Sequence, residues 1–123
     1  MARLTRAFLA AEAAAFYAAA LLHSGTIVAS HAHWKAATAE TVIGTVLLAG
    51  LLVTWLRPDW SRTAGLAAQG FALLGTCVGI VTIIVGIGPR SPLDYTLHAG
   101  FIALLVTGLR RVWHGERHEL RHA

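Results

Sequence analysis

The stretch AGLAAQGFALLGTCVGIVTIIVGIGPRSPLD, residues 64–94, opens with a run from Ala64 to Gly88 that contains no Asp, Glu, Lys or Arg. At about 1.5 Å of rise per residue, a helix of that length crosses a hydrocarbon core of about 30 Å. Pro89-Arg90-Ser91-Pro92 then ends the run, because proline has no amide proton to give a helix and biases the residue before it away from helical geometry. Outward from this stretch the same pattern of block and breaker recurs. A second apolar block covers about 39–56 and stops at Arg57-Pro58-Asp59, and a fourth covers 95–112. The first, about 7–29, has Glu12 as its one Asp, Glu, Lys or Arg. With residues 113–123 as a polar tail, the expected fold is an all-α, four-helix transmembrane bundle forming a single domain over 1–123.

Composition supports that expectation. Apolar residues make up 56% of the 123-residue chain and charged residues 13%, whereas a soluble domain carries about 25% charge. A soluble globule of this size exposes too much surface to hide so much apolar side chain. Disorder, coiled coil and nucleic-acid binding are poor fits despite the net charge of +4. The single cysteine, Cys77, excludes an intramolecular disulfide, a CxxC pair, an iron–sulfur cluster and the chemistry of four-helix membrane thiol oxidoreductases. The only lysine, Lys35, falls between blocks, so a retinal-type Schiff base is not expected. Absent too are a phosphate-binding glycine loop and an HExxH zinc helix, and the chain reads as a non-enzyme.

Basic residues set the orientation. Arg3, Arg6, Arg57, Arg62, Arg110, Arg111, Arg117 and Arg121 flank one side of the blocks, and Lys35 and Arg90 the other. The positive-inside rule places both termini in the cytoplasm, which for this chain means a bacterial cytoplasmic membrane. Trp34, Trp55, Trp60 and Trp113 all fall at block ends, where indole rings anchor at the interface. Met1–Arg6 with the alanine-rich run after it has some features of a signal peptide, and Val28-Ala29-Ser30 offers a cleavage site, but the length of the run and Glu12 within it favour a retained span.

Helices in lipid associate through close backbone packing, which small residues permit. Ala11, Ala15 and Ala19 repeat every four residues, as do Ala64, Ala68 and Ala72, and Gly75 with Gly79 forms GxxxG. Packing inside the bundle is the favoured use, and a dimerisation face the alternative. The expected partners are the lipid bilayer and either a second copy or a larger membrane complex.

Ionisable groups inside a membrane are costly and mark function by default. Glu12 and His23 are eleven residues apart, so they share one stripe of the first helix about 16 Å apart along its axis. Gln69 enters the third helix to a depth similar to Glu12, which predicts a Glu12–Gln69 hydrogen bond, and Thr76 follows on the face of Gln69. Toward the outer surface, Glu40 opens the second helix, while Asp94 and His98, four apart, open the fourth, where Asp94 is expected to orient the His98 ring. His23, Glu40, Asp94 and His98 are thus expected to converge near the outer surface, with His31 and His33 in the adjoining loop. Such a set suits a divalent metal, a haem b held through His23 and His98, a quinone headgroup, a proton relay toward Glu12, or a purely structural hydrogen-bonded cluster. Glu40 and Asp94 also suit helix N-termini on electrostatic grounds alone.

Two resemblances bear on these residues. In size, helix count and an early intramembrane acid, Glu12, the chain is similar to the small multidrug-resistance transporters, which implies proton exchange at that residue. That family's aromatic signature has no counterpart here, and the strong charge bias differs from its frequent dual topology. The second half, with Ala67-Ala68-Gln69-Gly70 and then Gly86-Ile87-Gly88-Pro89-Arg90 followed by Asp94 and His98, resembles small uncharacterised four-span membrane proteins of high-GC bacteria. This second likeness implies architecture and no reaction. In the tail, His114, His118 and His122 repeat every four residues beside Arg110, Arg117 and Arg121, a pattern suited to a solvated helical extension, anionic lipid or a metal. Three functions therefore stay open: a membrane subunit whose outer cluster holds an ion or redox cofactor, a small proton-coupled transporter using Glu12 and the histidines, and a haem b electron carrier.

Overall fold

The structure, a computed structural model, describes residues 2–122, with side chains through Gly115. It is all-helical: α1 (Ala2–His23), α2 (Trp34–Leu56), α3 (Ser61–Ile84) and α4 (Pro92–His122), with single 3₁₀ turns at Ala29–His31 and Pro58–Trp60 in two of the connections. Four helices are long and apolar enough to cross a membrane. Short connections make sequence neighbours pack side by side. α1 lies between α2 and α4 and meets α3 across the centre of the bundle.

The ends of the helices follow local chemistry more than hydropathy. α1 stops at His23, short of the apolar Ile27-Val28-Ala29, because Gly25 takes φ +77°, a left-handed geometry that favours glycine. The His33 amide then donates to the His23 carbonyl at 2.7 Å, and the His33 ring accepts from the Ala36 amide at the start of α2. That cap starts α2 at Trp34, earlier than the apolar block suggests. α3 ends at Ile84 because Gly86 turns at φ +87°, while the amides of Ile87 and Gly88 both donate to the Thr82 carbonyl. Arg90 completes that end, its guanidinium donating to the carbonyls of Ile83 and Ile84.

Large apolar side chains such as Leu52, Leu74, Val81 and Ile84 point outward, as a lipid environment permits. The centre holds Leu9, Phe16, Leu47, Ala72, Phe101 and Leu105, with the Phe16 and Phe101 rings stacked at 4.2 Å. The small residues serve the bundle itself. A Cβ on Gly75 would meet Ile43 of α2, and one on Gly79 would meet the His98 ring of α4, so GxxxG is where α3 receives its two neighbours. Ala68 and Ala72 are buried on the same helix, whereas Ala11 of the first alanine series faces outward.

The four tryptophans are exposed at helix ends. The Arg6 guanidinium lies over Trp55 at 4.0 Å and donates to the hydroxyl and carbonyl of Thr54, capping α2, and Arg62 lies over Trp113. Helix α4 continues through the tail, but the side chains of Arg117, His118, Arg121 and His122 lie outside those described.

Candidate functional site

Two polar sites occupy the inner face of α1, and each joins three helices. Nearer the N-terminus, Gln69 of α3 donates its amide to Oε1 of Glu12 at 2.8 Å, as the matched depths predict. Both side chains are fully buried. Gly108 of α4 closes this site: a Cβ there would run into the Gln69 amide and the Glu12 carboxyl. Among the described residues, Oε2 of Glu12 and Oε1 of Gln69 have no hydrogen-bond partner. Both orphan atoms are acceptors unless Glu12 carries a proton, so the site has a defined place for one.

At the other end of α1, His23 is 1% exposed and held on both edges of its ring. Nδ1 faces the Glu40 carboxylate of α2 at 2.8 and 2.9 Å, and Nε2 faces Oδ1 of Asp94 on α4 at 2.8 Å. Asp94 is aimed by its own helix end. Ser91 precedes Pro92 as the N-cap, and its amide and hydroxyl both donate to Oδ2 of Asp94 at 2.6 Å, which leaves Oδ1 for His23. Ser-x-x-Asp with proline at the first helical position is a capping box, legible in the sequence although its link to His23 was not.

Two hydrogen bonds require two protons among His23, Glu40 and Asp94. An imidazolium between two carboxylates carries net charge −1. A neutral imidazole with one protonated acid and one carboxylate carries the same −1. Among the described residues, the ion pairs of Glu40 and Asp94 are those with His23, so this charge is not matched by a Lys or Arg.

His98 does not join the cluster as expected. The Asp94 side chain turns to Ser91 and His23, and His98 Nδ1 instead donates to the backbone carbonyl of Asp94 at 2.8 Å. Spacing by four put both residues on one face correctly, but the donor it meets there is the ring and the acceptor is main chain. Within the expected set, His23 bridges Glu40 and Asp94, while the His98 ring bonds the Asp94 main chain. Both His23 nitrogens are engaged, and the two carboxylates lie on opposite edges of the ring. Among the described residues no group of three or more His, Cys, Asp or Glu is placed to hold a metal ion. An iron held between His23 and His98 would require the triad to come apart. His31 stays in the 3₁₀ turn and His33 serves as the α2 cap.

Beside the triad lies a cavity of about 200 Å³ between α2, α3 and α4. Its walls include Phe16, Ile43 and Phe101, and Glu40, Thr76 and His98 bring polar atoms into them. Sequence reasoning found these polar residues by depth, but the void depends on how three helices turn their faces, which depth does not encode.

Fold and site together define a four-helix protein of membrane-spanning dimensions with a buried histidine–dicarboxylate cluster. Compared with protein-family models, curated protein sequences and solved structures, the chain matches none.

Proposed function

We propose that this chain is a small, non-enzymatic, proton-coupled carrier of a bacterial cytoplasmic membrane, with both termini cytoplasmic. The observation that carries the reading is His23, held between Glu40 of α2 and Asp94 of α4 with a fixed proton requirement. Loss of one proton there leaves a ring nitrogen lone pair facing a carboxylate and breaks a bond that ties the helices together, which couples protonation to helix packing. Buried ionisable chains of this kind form proton relays in pumps and transporters. Glu12 supplies a second proton site about 16 Å away along α1, and the cavity against Glu40 gives a solute access to the first. Engagement of both His23 nitrogens favours this reading over a haem or metal-binding subunit.

The test uses everted membrane vesicles containing the protein, energised by respiration and loaded with a fluorescent ΔpH probe. Small amines, amino acids, sugars and organic acids are added in turn. At least one class is expected to release protons from wild-type vesicles, and Glu12→Gln and His23→Gln to abolish that release at equal protein levels. No response to any class, or full response in both variants, overturns the reading.

A further inference from the structure

The outer cavity presents acceptors. His98 Nδ1 carries a proton, since a backbone carbonyl can only accept, so in the neutral ring Nε2 bears a lone pair. Among the described residues that nitrogen has no hydrogen-bond partner, and it lies against Gly79, where only a missing side chain makes room for it. Thr76 and Thr82, both in the lining, donate their hydroxyl protons to the carbonyls of Ala72 and Gly79, so each oxygen is left as an acceptor. Glu40 adds a carboxylate that belongs to a cluster of net charge −1. The backbone donors of the lining are largely spent: Ile87 and Gly88 both bond Thr82, and Pro89 has no amide proton. Lys35 also lines the cavity, but it is exposed and holds its ammonium over the Trp34 ring.

From this we infer that the cavity binds a small organic ammonium ion, with its N–H groups toward Glu40, Thr76 and His98 and its hydrocarbon body against Phe16, Ile43 and Phe101. A single positive charge matches the unpaired charge of the triad, and an ammonium supplies the donors that the interior lacks. Size sets the rest. A cavity of about 150 Å³ takes a benzene ring, so about 200 Å³ takes one ring with a short ammonium arm. The inference names the solute class for the carrier proposed above and rests on that reading for its role in transport, but the binding itself does not.

The experiment is titration calorimetry of the full-length protein in detergent with three isosteric probes: 2-phenylethylammonium, 2-phenylethanol and phenylacetate. One equivalent of the ammonium is expected to bind, with phenylacetate at least tenfold weaker and the alcohol between them. Glu40→Gln, which keeps the shape and removes the charge, is expected to weaken ammonium binding at least tenfold and to narrow its advantage over the alcohol. Thr76→Val, whose hydroxyl only supplements a helical carbonyl, keeps the fold and is expected to weaken the ammonium severalfold. Equal affinities for the ammonium and phenylacetate, no ammonium binding to wild type, or ammonium affinity unchanged in both variants overturns the inference. Calorimetry needs no gradient, so the two proposals fail separately. Binding without amine-driven proton release removes the transport role and keeps the site, whereas proton release driven by another solute class keeps the carrier and removes the amine.

Discussion

At Gly108 a single hydrogen atom stands where any other residue would place a carbon against the Glu12–Gln69 pair. Gly108→Ala is expected to cost about 1–3 kcal/mol through overpacking. Gly100 lies on the same helix with nothing within 4 Å of its virtual Cβ, and Gly100→Ala is expected to be neutral or to stabilise by up to about 1 kcal/mol, since alanine is the better helix former. Thermal unfolding of both variants in the same detergent checks the contrast, and equal shifts would show that the Glu12 site tolerates a methyl group. His23 is the other residue on which much depends. His23→Ala leaves two carboxylates facing a void and is expected to destabilise the protein by about 3–5 kcal/mol, the usual loss when one member of a buried ion pair is removed. Retention of wild-type thermal stability in that variant would show that the triad contributes little to the fold.

The helices themselves were legible because long apolar runs with few charges, two of them followed by prolines, allow few other readings in 123 residues. Their ends were less so. Hydropathy extended the first span through Ile27 and Val28, yet these sit exposed in the loop because Gly25 turns the chain. A glycine inside an apolar run gives no sign of whether its φ will be positive. Likewise, matched depths found Glu12 with Gln69 and three of the four outer residues. Which way each helix faces decided the fourth, and a stripe of polar residues on α4 could not reveal that Asp94 would bridge to α1 while His98 turned to the cavity. The capping box at Ser91 ties element to site. Ser91→Ala removes a cap, worth about 1 kcal/mol, and also one of the bonds aiming Asp94 at His23. Hydrogen exchange followed by mass spectrometry is expected to show faster exchange in the first turn of α4 and at the His33 amide, which bonds the His23 carbonyl. Faster exchange confined to α4 would separate the cap from the triad.

For the molecule as a whole, orientation is the property on which the transport proposal depends. In a Cys77→Ser background, Ser30→Cys is expected to react in intact cells with a maleimide that cannot cross membranes, and Asp59→Cys only after the cells are opened. The reverse pattern would put the triad on the cytoplasmic side. The charge distribution predicts the first outcome, and Arg6 and Arg62, each over a tryptophan, reinforce that end as the interface richer in fixed positive charge. Between the two polar sites of α1 stand Phe16 and Phe101, stacked face to face in the centre of the bundle. On the proposed carrier reading, a proton crossing from one site to the other meets two aromatic rings with no oxygen or nitrogen of their own to hop along. In a carrier of the proposed kind, the resting molecule is an airlock with its inner door shut, and the cell loses nothing through it until the two rings part.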